Sequence, residues 1–277
     1  MCTIIGALGS SIPEKNTFLV ARDTMTHRGP DDSGYFYSEE DNIALGHRRL
    51  SIIDLSKAGR QPMESSDGRY VLIFNGEIYN FKELRKELED TYRFRTNTDT
   101  EAILAAYSKW GVDVPKHLDG MFSFVLWDRE KKILFAARDR LGIKPFYYSY
   151  NNDTFYFASE IKGILAMMQN KERKLNKQGF LDYLSYRYPL GKNTMFEGIF
   201  SLDPGQYICV GESEPPEPKT YWDLPVVCDK KEIEEDDVVL KTEELLKKII
   251  RSHMISDVPV GAYLSGGLDS SLVVALM

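Results

Sequence analysis

No stretch of the 277 residues approaches the roughly 18 to 20 consecutive apolar positions that a membrane-spanning helix needs. The start of the chain also lacks the charged-then-apolar layout of a signal peptide, so the cytoplasm is the expected compartment and no membrane partner is implied. Cysteine is scarce. Cys2, Cys209 and Cys228 form no CxxC pair, which excludes a disulfide framework and argues against structural zinc. Histidine is equally thin: His27, His47, His117 and His253 show no ligand spacing, so no metal site is expected and all four read as turn or surface residues. Positive charge is short as well. With 35 basic against 42 acidic residues the net charge is −7, and bulk attraction to nucleic acid or an anionic membrane is not expected.

What is present is core-forming composition, 43% hydrophobic and 12% aromatic, enough for one large domain and part of a second. Short β-like runs fall at 3–8, 34–38, 43–53, 70–74, 121–127, 133–137, 146–150 and 154–158, separated by Gly, Asp and Asn. Helical spacing predicts helices over 81–89 and 99–110, with two more over 160–168 and 177–186. Many strands with few helices suggest two packed sheets flanked by helices, an α+β arrangement. The acidic, Pro-rich 211–219 and the charged 229–237 then mark a linker, placed at 206–235. Past it come an amphipathic helix over 238–254, a buried strand over 258–264 and a glycine loop opening a helix. Strand, loop and helix make one edge of an α/β nucleotide-binding domain, here truncated, so the chain reads as a fragment with apolar surface left uncovered.

Cys2 directly follows the initiator methionine, and removal of Met1 would leave a free α-amino group beside the thiol. Such an amine has a pKa of about 7.7–8.0, so one residue can supply nucleophile and base. Position alone favours a small residue that merely starts a strand. Downstream, GHRRLSIID (46–54) puts arginines in an apolar strand, suited to gripping a small carboxylate bidentately or else simply solvated. FNGEIYN (74–80) places Asn75 and Gly76 after an apolar run, where they could stabilise an oxyanion or form a hairpin turn. In TNTDTE (96–101), Thr98 and Glu101 suit a capping box, and Asp99 suits either a helix first turn or a substrate ammonium.

Taken in order, MCTIIGALGS, HRGPDDSG, GHRRLSIID, FNGEIYNF, TDTEAIL, GMFSFVLWD and RDRLGIKPFYYS closely resemble the glutaminase domain of asparagine synthetase over about residues 2–205. VPVGAYLSGGLDSSLVVA (258–275) resembles the start of that family's synthetase domain, making 236–277 its N-terminal piece. The resemblance implies an αββα sandwich of the N-terminal-nucleophile type. It also implies that Cys2 attacks glutamine, with Asn75 and Gly76 as oxyanion hole. Arg49 would hold the α-carboxylate, Leu50, Ile52 and Ile53 would line the pocket, Glu77 and Asp99 would take the α-amino end, and Arg28 would order the N-terminus. Ammonia so released would amidate aspartate in an ATP-dependent step. ATP and Mg²⁺ are implied for that half, held by Leu264, Ser265, Gly266, Gly267, Asp269 and Ser270, the SGGLDSS loop being no Walker A sequence. A homodimer is also implied. An amidotransferase for a sugar or peptide carboxylate, and a non-catalytic glutamine- or nucleotide-binding module, are the competing readings.

Overall fold

The computed structural model describes residues 1–168, 173–211, 215–226 and 235–277. Cys228 and most of the charged 229–237 stretch lie outside them.

The apolar run TIIGALG forms β1 (Thr3–Gly9), buried along its whole length. Its burial follows from pairing on both sides, with β3 (Ile43–Arg49) and β9 (Thr154–Ala158), each antiparallel. With β2 (Asp32–Ser38), β8 (Tyr147–Asn151) and β10 (Phe200–Ser201) these make a six-stranded sheet ordered β10-β8-β9-β1-β3-β2. The second sheet contains β4 (Met63–Glu64), β5 (Tyr70–Ile78), β6 (Gly120–Asp128), β7 (Ile133–Arg138), β11 (Gln206–Val210) and β12 (Lys219–Thr220), ordered β12-β11-β7-β6-β5-β4.

Side chains alternate across each strand, and the two inner faces meet in one core. Ile4, Leu8, Ile43 and Leu45 of the first sheet pack there with Val71, Ile73, Val125 and Trp127 of the second. The outer face of the first sheet, including Ile5, Ala7 and Ala44, receives Phe18 and Ala21 of α1 (Lys15–Asp23) and Ile164 and Met167 of α5 (Ile161–Met168). Over the second sheet lie α2 (Phe81–Leu88) and α3 (Asp99–Trp110), where Tyr107 stacks edge-on to Tyr70 at 5.3 Å and tilts against Phe135 at 5.4 Å. The layers are thus αββα, as expected. Two further helices, α4 (Val114–His117) and α6 (Lys177–Tyr186), sit in connections.

Four expectations are corrected. β3 stops at Arg49 rather than 53, and Ile52–Leu55 group instead with the C-terminal unit. β5 runs on to Ile78, so Asn75 and Gly76 are strand residues and not a turn. The linker does not begin at 206: β11 pairs with β7 and puts Ile208 and Val210 into the core, and the first unit extends to Asp223. Residues 258–264 form no strand, and 259–264 are exposed, because no partner strand exists for them among the described residues of that unit and a lone strand leaves its N–H and C=O groups unpaired. That second unit (Ile52–Leu55, Leu224–Met277) consists chiefly of α7 (Glu235–His253) and α8 (Leu268–Leu276).

The role of β11 is testable by length. Burying an isoleucine and a valine contributes about 1.5–3 kcal/mol each, so a chain ended after 205 should melt on the order of 10 °C below one ended after 223. Equal melting temperatures by circular dichroism would place β11 outside the cooperative core.

Candidate active site

At one end of the sandwich the inner faces change from apolar to polar. The alternation that buries Ile4 puts Cys2 on the inner face of β1; on β3 it carries Leu45 on to His47 and Arg49; on β5 it carries Ile73 on to Asn75 and Glu77; on β6, Val125 leads back to Ser123. The two sheets are tied together at this end by His47 Nε2, which donates to Phe74 O at 3.0 Å.

Cys2 is part-buried, and its Sγ accepts from Leu50 N at 3.4 Å and lies 3.5 Å from Leu50 O. Burial pushes the thiol pKa up, so an un-ionised sulfur here requires a base before it can act as a nucleophile. Arg28 fixes the start of the chain: Nε donates to Cys2 O (3.3 Å) and its own carbonyl accepts from the Met1 ammonium (3.1 Å). Glu160 holds Arg28 in turn, accepting from Nη1 at 3.2 Å and from His27 at 3.0 Å. Burial lowers the Met1 ammonium pKa, favouring a neutral amine at this position.

Arg49 is 6% exposed, and Nη1 donates to Ser56 O at 2.9 Å. Gly59 makes the room: a Cβ there would sit 2.1 Å from Arg49 Nη2. Asp99 opens α3, where Thr98 Oγ1 caps the Glu101 N–H at 3.1 Å. The capping box is only half formed, since the Glu101 carboxylate turns to the N–H groups of Arg95 (2.9 Å) and Thr96 (2.6 Å). Asp99 is buried yet bonds outside its helix, Oδ2 accepting from Ile78 N at 3.0 Å, so one residue serves both the helix start and the site. Burial raises the pKa of Asp99 and of Glu77, and their mutual repulsion adds to it at Glu77.

Asn75 is 1% exposed, and neither its Oδ1 nor its Nδ2 has a partner among the described residues. Gly76 is obligatory in size, because a Cβ would meet Met121 O at 2.1 Å across the ladder.

Cys2, Arg28, Arg49, Leu50, Asn75, Gly76, Glu77 and Asp99 are all in the first unit. Ile52 and Ile53 belong to the second unit, where Ile52 O accepts from Asp257 N at 3.0 Å. In that unit the 264–270 loop turns at Gly266 (φ +80°), with Ser265 Oγ 2.9 Å from Ser270 Oγ. Sequence reasoning missed His47, which is buried rather than a surface residue, and Lys144, 6% exposed. The signal for His47 was its place in the Leu45–Arg49 alternation. Lys144 carried none, because Asp139 delivers it: that carboxylate gathers the N–H groups of Phe122, Leu141, Ile143 and Lys144 at 2.9–3.1 Å.

Comparison with known proteins agrees with this geometry. The family described as "Glutamine amidotransferase domain" matches residues 1–222, and that described as "Asparagine synthase" matches 241–277. The chain is 37% identical over 285 residues to asparagine synthetase [glutamine-hydrolyzing] 1 of Bacillus subtilis strain 168, covering 100% of this chain and 44% of that protein. It is 39% identical over 260 residues to amidase chry2 of Gibberella zeae, covering 92% of this chain and 38% of that one. The chain thus spans under half the length of either relative. Among solved structures, glutamine phosphoribosylpyrophosphate amidotransferase from B. subtilis superposes with a TM-score of 0.60 at 15% identity, over 99% of this chain and 63% of that chain, a likeness of fold. With one family spanning 1–222 and including the whole polar end of the sandwich, the chain belongs to the glutamine amidotransferase domain family.

Proposed function

We propose that the first unit hydrolyses glutamine through Cys2 and supplies the ammonia for ATP-dependent conversion of aspartate to asparagine. The observation that carries this is the unpartnered amide of Asn75 on the strand end that faces Cys2. Buried polar groups are satisfied in folded proteins unless something else claims them. An oxyanion formed on attack by the thiol is such a claimant.

Removal of Met1 makes the Cys2 nitrogen a free amine, which takes the thiol proton. The thiolate, steadied by Leu50 N–H, adds to the side-chain amide carbon of glutamine, and the C=O electron pair moves onto oxygen, facing Asn75 Nδ2 and Gly76 N–H. Collapse re-forms the carbonyl and breaks the C–N bond, the amine's proton leaving with ammonia. Water then attacks the thioester, releasing glutamate and restoring the thiol. Arg49 grips the substrate carboxylate bidentately, while Asp99 and Glu77 face its ammonium. Arg28, braced by Glu160, keeps Cys2 from fraying.

In the second unit the reading assigns Leu264, Ser265, Gly266, Gly267 and Ser270 to ATP phosphates. Two adjacent glycines without neighbours within 4 Å of Cβ for Gly266, at the start of α8, fit a phosphate. Asp269, in the first turn, is the carboxylate that would reach a Mg²⁺ on them. ATP would activate the acceptor carboxylate. The relative named amidase chry2 supports a second reading, in which the acceptor is another carboxylate; the glutamine half is the same in both.

Purified chain lacking Met1 is expected to release ammonia from glutamine without ATP. Cys2→Ala should lower the rate at least about 10³-fold, and a chain with a retained N-terminal extension should be similarly inert; intact mass after a glutamine-mimicking electrophile reads both. An active Cys2→Ala protein would refute the assignment of the nucleophile.

The raised carboxyls give a paired prediction. Only their ionised forms hold an ammonium, so the glutamine KM should fall as pH rises from 5 to 8, and Asp99→Asn should raise KM on the order of 30-fold and flatten that slope. For stability the sign reverses. Acids whose folded pKa is raised stabilise fully below about pH 4, and this is lost as pH rises through the raised value. At pH 7.5, Asp99→Asn or Glu77→Gln should therefore raise the melting temperature of the glutamine-free chain by about 3–5 °C for each pKa unit removed. A lower melting temperature in both variants would contradict it.

A further inference from the structure

The second sheet is incomplete along the β4 edge of β5. β4 pairs only Met63 and Glu64, with Leu72 and Val71, yet β5 continues to Ile78. Past Leu72, alternate residues of β5 turn their N–H and C=O to an edge along which no strand runs among the described residues. Those residues are Phe74, Gly76 and Ile78, since Phe122, opposite Gly76, gives its own N–H to Asp139 Oδ2 (3.1 Å) and its C=O to Asp139 N (2.8 Å), away from β5. Bare backbone groups in an interior are costly.

Side chains cap the edge instead. Phe74 N donates to Gln61 Oε1 at 2.6 Å, and Phe74 O accepts from His47 Nε2 at 3.0 Å. Gln61 is anchored in turn through Nε2 to Thr100 Oγ1 at 3.3 Å. Ile78 N donates to Asp99 Oδ2 at 3.0 Å. Between these capped residues, the Gly76 N–H has no acceptor among the described residues.

We propose that His47, with Gln61, is a positioning residue for the oxyanion donors: the two side chains stand in for the missing strand, clamp Phe74, and so aim Asn75 and the Gly76 N–H. The proposal rests on the amidotransferase reading above. A carbonyl can only accept, so the hydrogen is on Nε2 and Nδ1 carries the lone pair. Burial drives the His47 pKa down to about 3, leaving a neutral donor at working pH. Packing does not call for a histidine here. Its inner-face neighbour is Leu45 and its cross-strand partner Ile4, and its buried Nδ1 has no partner among the described residues, a penalty an apolar side chain would not carry.

The test uses the Met1-processed chain. His47→Met keeps volume and removes the donor, whereas His47→Gln offers an amide N–H at similar reach. His47→Met is expected to lower kcat about 10–100-fold with the glutamine KM within about twofold. It should weaken inhibition by the γ-aldehyde of glutamate, whose thiol adduct places an oxygen in the hole, by the same factor. Amide hydrogen exchange at 73–77 should quicken, and His47→Gln should recover most of each change. If His47→Met does not fold, Gln61→Met removes the other half of the clamp and is read the same way. A kcat within about threefold of wild type, or a loss that His47→Gln does not recover and the aldehyde does not follow, overturns the proposal. A wild-type chain without Cys2-dependent glutaminase activity overturns the amidotransferase reading and this one with it, a failure told apart by the wild-type rate alone.

Discussion

Chain ends fray unless they are tied down, and Cys2, for which the role of nucleophile is proposed, must not. The fold meets this constraint by placing β1 in the middle of its sheet, paired on both sides and buried from Thr3 to Gly9. Ile4 is fastened twice more, its N–H to Ser159 Oγ at 3.1 Å and its C=O to Ser159 N at 2.9 Å. The Arg28 guanidinium takes over where the ladder ends. Everything proposed for Cys2 presupposes this anchoring, because a thiol on a loose terminus could not be held against an oxyanion site on the opposite sheet.

The same period-two alternation that builds the core also builds the site. Apolar inner-face residues give way to Cys2, His47, Arg49, Asn75, Glu77 and Ser123 within one or two steps along four strands. Polar groups at the end of a core are costly to desolvate, and the raised carboxyls, raised thiol and lowered ammonium all trace first to burial. In the function proposed above, glutamine offsets that cost by supplying opposite charges to the carboxyls. The glycines do related work through absence: Gly59 leaves space for a guanidinium and Gly76 lets β5 lie flat on β6.

Much of this was legible in the sequence wherever the signal was local. The long strands of the αββα sandwich, α2, α3, Cys2, Arg49, Asn75, Gly76 and Asp99 all sit in short motifs whose residue types suit the places they take in the fold and the roles proposed for them. What was not legible depends on distant partners. β3 ends at Arg49 because the chain leaves the sheet there, although Leu50, Ile52 and Ile53 are apolar enough to continue it. β11 follows a Pro-Gly pair and reads as linker until β7 is there to receive it. Residues 258–264 show the converse, an apolar run with no strand to join. Gln61 acquires meaning only from Phe74, thirteen positions on in β5, while Lys144 depends on the loop that Asp139 closes with its carboxylate five positions back.

The central position of β1 also imposes an order in time. Ser159, which fastens Ile4 from the β9 side, is synthesised 155 positions after it. At about 5–20 residues per second this is a delay of about 8–30 s. During it β1 lacks the β9 side of its sheet and the N-terminus stands clear of Glu160. Until that late strand arrives, the segment that carries Cys2 is held in its sheet from the β3 side alone.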